Sequence, residues 1–398
     1  MRIWMISEHA DPLETLAGAD AGGQNVHVGA LATALGRRGH EVTVFTRWAD
    51  RASPTRQEAD GYTVERLEAG PVTRLEKDAL LPHMAQLGDA LRERMVAERP
   101  DLVHAHYWMS GMAGLHALVD TDVPLVQTFH ALGSVKRREQ GAADTSPDTR
   151  VALERRLCRE VHHVIATCRD EVGELTRLGT PTGRCSVVPC GVDPELFRPR
   201  PSPRPDGRLR LLDLGRLVPR KGVDDVIRAV ASVPAAELVV AGGPSAAALD
   251  TDPEVRRLRA LADELGVARR VRFTGAVPHD EVPALIGDCD AVVIAPWYEP
   301  FGIVPLEAMA SGRPIVGTAV GGLLDTVVPE VGRLVPPRDP AALADTLLEL
   351  ADPELRIRCG RAGRARVLEH YTWDRVAAAT EDVYRAVATA PTAQEALR

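Results

Sequence analysis

The stretch RLLDLGRLVPRKGVDDVIRAVA, residues 210–231, decides the architecture. Arg210–Leu214 reads as a strand. Val223–Ala231 reads as a helix, and a loop holding Gly215 and Gly222 joins the two. Toward the C-terminus the alternation continues. Strands are expected at Glu237–Ala241, Val271–Thr274, Ala291–Ala295 and Pro314–Val316. Helices are expected at Glu254–Leu265, Pro305–Ser311, Ala341–Leu350, Glu354–Leu368 and Asp374–Val387. Toward the N-terminus, Pro199-Arg200-Pro201-Ser202-Pro203-Arg204-Pro205 cannot join a helix or a central strand and reads as a linker. Before it lies a second alternating series. Its strands are expected at Arg2–Ile6, Glu41–Thr46, Leu102–His104, Leu125–Thr128, His163–Thr167 and Ser186–Val188. Its helices are expected at Gln24–Arg38, Leu80–Ala97 and Thr149–Arg159. Alternating strand and helix signals imply a parallel sheet covered on both faces. The simplest reading is therefore two doubly wound α/β domains, 1–198 and 199–373.

Composition narrows the function classes. The chain has 398 residues, with 45% hydrophobic and 26% charged, ordinary values for a soluble globular protein. A net charge of -8 argues against a nucleic-acid partner, which asks for a basic patch. The six cysteines (Cys158, Cys168, Cys185, Cys190, Cys289, Cys359) include no C-x-x-C pair and read as thiols in a reducing compartment. The N-terminus shows no secretory pattern, and no run approaches the length of a membrane span. A cytoplasmic location is expected.

Two loops carry the chemistry. Arg216 and Lys221 follow the strand Arg210–Leu214, where two cations suit a diphosphate, although a solvated basic loop would look the same. The second loop is EPFGIVPLEAMA, Glu299 to Ala310. Pro305 is expected at the first helical position, so that the amides of Gly302, Ile303 and Val304 sit at a helix N-terminus, which favours anions. Glu307 could accept from ribose hydroxyls and Glu299 from sugar hydroxyls. Alternatively both are surface carboxylates.

GRLVPRKG and EPFGIVPLEAMASGRPIV together resemble the signature of glycosyltransferase family 4. DAGGQNVHV (Asp20–Val28), HAHYWMSG (His104–Gly111), TFHALGSVK (Thr128–Lys136), VVPCGVD (Val187–Asp193) and VGGLLDTV (Val320–Val327) are also similar to family segments. The resemblance is strongest to the branch of sucrose-phosphate synthase, sucrose synthase and inositol-phosphate N-acetylglucosaminyltransferase. It implies a GT-B fold, two Rossmann-like domains facing a central cleft, with a C-terminal helix (about 374–398) packed back on the first domain. It implies a retaining, metal-independent transfer from a nucleotide sugar, UDP-hexose favoured, to a small polar acceptor. No cofactor is implied beyond that co-substrate.

By the same resemblance, Arg216 and Lys221 hold the donor diphosphate and Glu307 the ribose. Glu299 contacts the transferred sugar, with the backbone of Phe301, Gly302, Ile303 and Val304. Gly23 lets backbone approach the phosphate, and His130 faces the reacting sugar. Asn25, Lys77, Tyr107 and Arg150 fall where relatives bind acceptor phosphate. Ala131 departs from a hydroxyl residue in those relatives, which puts the same acceptor in doubt. Lys136-Arg137-Arg138 either adds positive charge there or is a solvated loop.

Other readings are weaker. Asp288-Cys289-Asp290 has a metal-binding D-x-D form but leads straight into a strand, so a turn cap is expected. His104 and His106 read as structural or substrate-lining. A dinucleotide oxidoreductase would want G-x-G-x-x-G after the first strand, and only Gly22-Gly23 is present. A sugar-nucleotide epimerase or hydrolase, or a non-catalytic nucleotide-sugar-binding module, would share fold and donor pocket. A lipid acceptor would want a strongly basic amphipathic helix.

Overall fold

The computed structural model describes residues 1–14, 23–201, 207–300 and 302–389. They divide into two compact units, one of 1–14, 23–189 and 373–389, the other holding the rest. The chain passes between units at Pro189/Cys190, ahead of the proline-rich run, and again at Thr372/Trp373. Residues 202–205 of that run lie outside the described residues.

The first unit holds eight strands: β1 (Arg2–Ile6), β2 (Glu41–Arg47), β3 (Arg56–Ala59), β4 (Tyr62–Leu67), β5 (Leu102–His106), β6 (Leu125–Thr128), β7 (His163–Ala166) and β8 (Cys185–Val187). Their order is β3-β4-β2-β1-β5-β6-β7-β8, parallel throughout except for the β3–β4 pair. β1 and β5 are buried almost end to end, as central strands covered on both faces must be. Their core includes Ile3, Met5, Leu31, Val44 and Val126, and the helix Trp373–Ala388 adds Val376, Ala377 and Tyr384.

The second unit has six strands: β9 (Leu209–Leu214), β10 (Ala236–Ala241), β11 (Val271–Gly275), β12 (Ala291–Ile294), β13 (Ile315–Thr318) and β14 (Gly332–Val335). They run all parallel in the order β11-β10-β9-β12-β13-β14. Leu211, Val226, Leu238, Leu258, Val293 and Leu347 lie in its core. In each sheet the strand order reverses once, between β1 and β5 and between β9 and β12. In open α/β sheets ligands bind at the carboxyl ends of strands at such a switch point.

Some local expectations need correction. Leu80–Ala97 is not one α-helix. Lys77–His83 is a 3-10 helix, and the α-helix begins at Met84. Pro82 has no N–H to give and crowds the preceding turn, so the regular ladder starts only beyond it. The hairpin β3–β4 and the helices Trp108–Ala117 and Arg169–Leu178 were absent from the sequence reading. Among the described residues no helix is long and apolar enough to cross a membrane.

Candidate active site

In the second unit the loop after β9 is built by close approach. Gly222 has φ 67, and a Cβ there would lie 2.0 Å from the carbonyl oxygen of Ala295, at the end of β12. The Trp297 amide donates to the Arg220 carbonyl (2.9 Å) and ties the two loops of the switch point together. Lys221 then meets Glu299 in a hydrogen-bonded ion pair. Burial pushes the Glu299 carboxyl up, but Lys221, Arg220 and the Gly302 amide together hold it below the ordinary carboxylate value. The Glu299 carbonyl accepts from the Gly322 amide (2.9 Å), and Gly321 (φ 48) leaves no room there for a side chain. Arg216 is exposed and, among the described residues, its side chain makes no hydrogen bond or ion pair. Arg220, which the sequence reading passed over, is the third cation, and its own burial followed by Arg216 depresses its pKa. Three cations stand against the Glu299 carboxylate and Asp213, whose pKa burial raises to about 7, and leave a positive surplus at the β9/β12 switch point.

The helix Ile303–Ala310 begins differently from expectation. Gly302 is its N-cap, in the left-handed region (φ 78), so Ile303 takes the first helical position and Pro305 the third. Proline costs nothing there, because that amide has no intrahelical partner in any case. Ile303 and Val304 thus carry the leading amides, while the Gly302 amide turns to Glu299. Phe301 lies outside the described residues. Glu307 is buried in the second turn, with its Oε1 3.3 Å from Nε2 of His279. No sequence signal pointed to His279. The hydrogen bond to Glu307 raises its pKa against the opposing pull of burial. Asp290 of the D-x-D form accepts from the Arg210 amide (2.8 Å) and faces Arg356 (3.8 Å), which makes it a structural bracket at the start of β12.

The first unit gathers its polar groups at the β1/β5 switch point. Glu8 is buried after β1. Its amide donates to Oγ of Ser110 (3.0 Å), the Ser110 hydroxyl donates back to its carboxylate, and Nδ1 of His9 lies 2.7 Å away. Lys77 stands 3.8 Å from the ring centre of Tyr107, which has φ 83. Arg150 lies 5.2 Å from the same ring, yet its guanidinium is spent on Glu154 (2.8 Å), Ser146 (3.1 Å) and the Ala131 carbonyl (2.6 Å). Asn25 is buried and donates to the Asp11 carbonyl (3.0 Å). Gly23 is not on a loop but opens the helix Gly23–Arg37. Lys136, Arg137 and Arg138 are on the helix Gly133–Gln140 and pair with Asp144, Asp148 and Glu174. Their charge is therefore largely matched in place.

Beside this group lies an array of imidazoles. His130 sits two residues past β6 with φ 59, and its Nε2 is 3.0 Å from Nδ1 of His106. His104 lies against His106 with ring centres 4.0 Å apart and planes tilted by 39°, and His27 meets His106, His130 and Trp373 edgewise or tilted. Burial drives the His27 and His104 pKa values down to about 3.

Residues 21–196 match the family described as Glycosyltransferase Family 4, and residues 197–366 the one described as Glycosyl transferases group 1. A D-inositol 3-phosphate glycosyltransferase of Acidothermus cellulolyticus is 37% identical, over 96% of this chain and 90% of its own length. The chain belongs to glycosyltransferase family 4. A sucrose-phosphate synthase from Thermosynechococcus elongatus is similar in structure to this family 4 transferase, with TM-score 0.87 and 32% identity over 97% of this chain and 99% of the other. HepE of Anabaena, solved with UDP and glucose, shares the fold at TM-score 0.74 and 21% identity over 97% and 99% of the two chains. The two parallel α/β units are thus those of a GT-B transferase.

Proposed function

We propose that this glycosyltransferase retains anomeric configuration and moves a hexose from a UDP-linked donor to a hydroxyl of a small polar acceptor. The observation that carries the donor half is the Lys221–Glu299 pair with Arg216 and Arg220 at the β9/β12 switch point. Arg216 and Lys221 would bind the diphosphate and stabilise charge on the leaving nucleotide as the glycosidic bond breaks. Glu299, kept ionised by its neighbours, would accept from sugar hydroxyls. Glu307 would accept from the ribose, and the Ile303 and Val304 amides would face anionic oxygen. The departing phosphate oxygen would take the proton of the acceptor hydroxyl on the same face. Catalysis then rests on placement and charge stabilisation. The side-chain cations supply the charge that a metal ion would otherwise bring, so turnover should persist in chelator. Strict loss would reject that part.

The acceptor would be a sugar phosphate, an inositol phosphate or a specialised metabolite. The curated relative's name favours inositol phosphate, and Lys77 over Tyr107 is a cation on that side. Ala131 in place of a hydroxyl residue argues for a different fit around it. The test is thermal stabilisation by a panel of nucleoside diphosphates without metal. A ligand that binds only the folded state stabilises by about 2.7 kcal/mol at a hundredfold excess over Kd. A shift with UDP that disappears in Glu307→Ala supports the donor reading, and no shift with any nucleotide refutes it.

A further inference from the structure

His106 is the last residue of β5 and is fully buried. Its Nδ1 is 3.0 Å from Nε2 of His130. Its other ring nitrogen, Nε2, is buried and has no hydrogen-bond partner among the described residues. The tilted ring beside it, His104, offers nothing more. Its Nδ1 is used on the Tyr384 hydroxyl (2.6 Å) and its Nε2 on the Thr128 hydroxyl (2.9 Å). Burial holds both His106 and His130 well below the ordinary imidazole value, so the pair is neutral near pH 7.

A bond between two neutral imidazoles joins one N–H to one lone pair. Were His130 to donate from Nε2, His106 would accept at Nδ1 and carry its own proton on Nε2, where no described residue accepts it. With His106 donating from Nδ1, only a bare lone pair is left at that buried nitrogen. Orphaned buried N–H groups are rarer in folded proteins than under-satisfied acceptors.

We propose that His106 is a positioning residue whose Nδ1–H donates to Nε2 of His130, so that His130 carries its proton on Nδ1 and meets a substrate oxygen as a hydrogen-bond donor rather than as a base. The φ of 59 at His130 fixes the ring's side from the backbone, and His106 fixes its tautomer. The catalytic consequence rests on the proposed placement of His130 beside the reacting sugar. The tautomer itself does not.

The test uses the whole chain labelled with 15N-histidine. Long-range 1H–15N correlations near neutral pH should show His130 with a pyrrole-like Nδ1 and a pyridine-like Nε2. In His106→Leu the His130 signals should move to a tautomer mixture, and kcat should fall about 10²-fold with KM unchanged, the low end for loss of one placed donor. His106→Asn, whose amide can sit near the former Nδ1 and donate, should restore both. A proton on Nε2 of His130 in the unaltered protein overturns the proposal, as does a tautomer indifferent to His106→Leu. If the tautomer is as stated but His130→Gln keeps full turnover, the placement of His130 at the sugar fails and the pairing stands.

Discussion

Asp213 is the penultimate residue of β9, with its side chain buried in the field of Lys221. Burial pushes its carboxyl up to about 7 against the pull of Lys221, and burial takes Glu171 in the other unit to about 7 as well. Between the ordinary carboxylate value and 7 the folded chain holds these protons more tightly than the unfolded one, so their contribution to stability falls as pH rises through that window. Asp213→Asn should therefore gain on the parent between about pH 4 and pH 8, by roughly 4 kcal/mol if the whole shift is realised. Denaturant melts at the two pH values measure it, and a pH-independent difference would contradict it. His27 and His104 act in the opposite direction. Their values near 3 mean that stability is lost as pH falls from about 6.5 toward 3. Arg216→Ala should leave stability unchanged, since the side chain is exposed and unpaired among the described residues, yet cost about 10²- to 10³-fold in kcat. Steady-state rates beside a melting curve check both halves. Arg216, Lys221 and Glu299 could be singled out as donor candidates because each stands in the segment that directly follows a strand, and Glu307 because it lies on the helix that comes next. Arg220, His279, Glu8 and the imidazole array were not. Their chemistry depends on neighbours far along the chain, as His279 meets Glu307 and His106 meets His130.

Parallel strands and the longer helices were readable as elements because buried apolar runs and helical spacing are strong periodic signals. β6 (Leu125–Thr128) falls where the sequence reading put it. The hairpin β3–β4 was missed. β3 is a short, mostly exposed edge strand, and only Asp60-Gly61, with Gly61 at φ 83, marks its turn. The start of the helix Ile303–Ala310 was misplaced because a left-handed Gly302 can open a helix as well as Pro305 can. Glycine matters more at Gly222, where both φ and space exclude a side chain. Gly222→Ala should displace the Arg220–Lys221 loop from Trp297, cost about 1–3 kcal/mol of stability and raise the KM for donor more than that for acceptor. Equal donor and acceptor effects would mean that the loop does not serve the donor.

At the scale of the molecule, the first unit is assembled from both ends of the sequence. The helix Trp373–Ala388 supplies Val376, Ala377 and Tyr384 to its core, and Tyr384 holds His104. Deleting residues 373–398 should thus lower the melting transition of the first unit and leave that of the second in place, a difference that calorimetry or hydrogen exchange resolved by unit can read. A single unchanged transition would show the helix to be dispensable. The same discontinuity sets an order of events during synthesis. On the ribosome the chain of the second unit is complete before the helix that finishes the first has been made. For that interval the nascent first unit must wait with a strip of its hydrophobic face uncovered, a natural docking place for a chaperone.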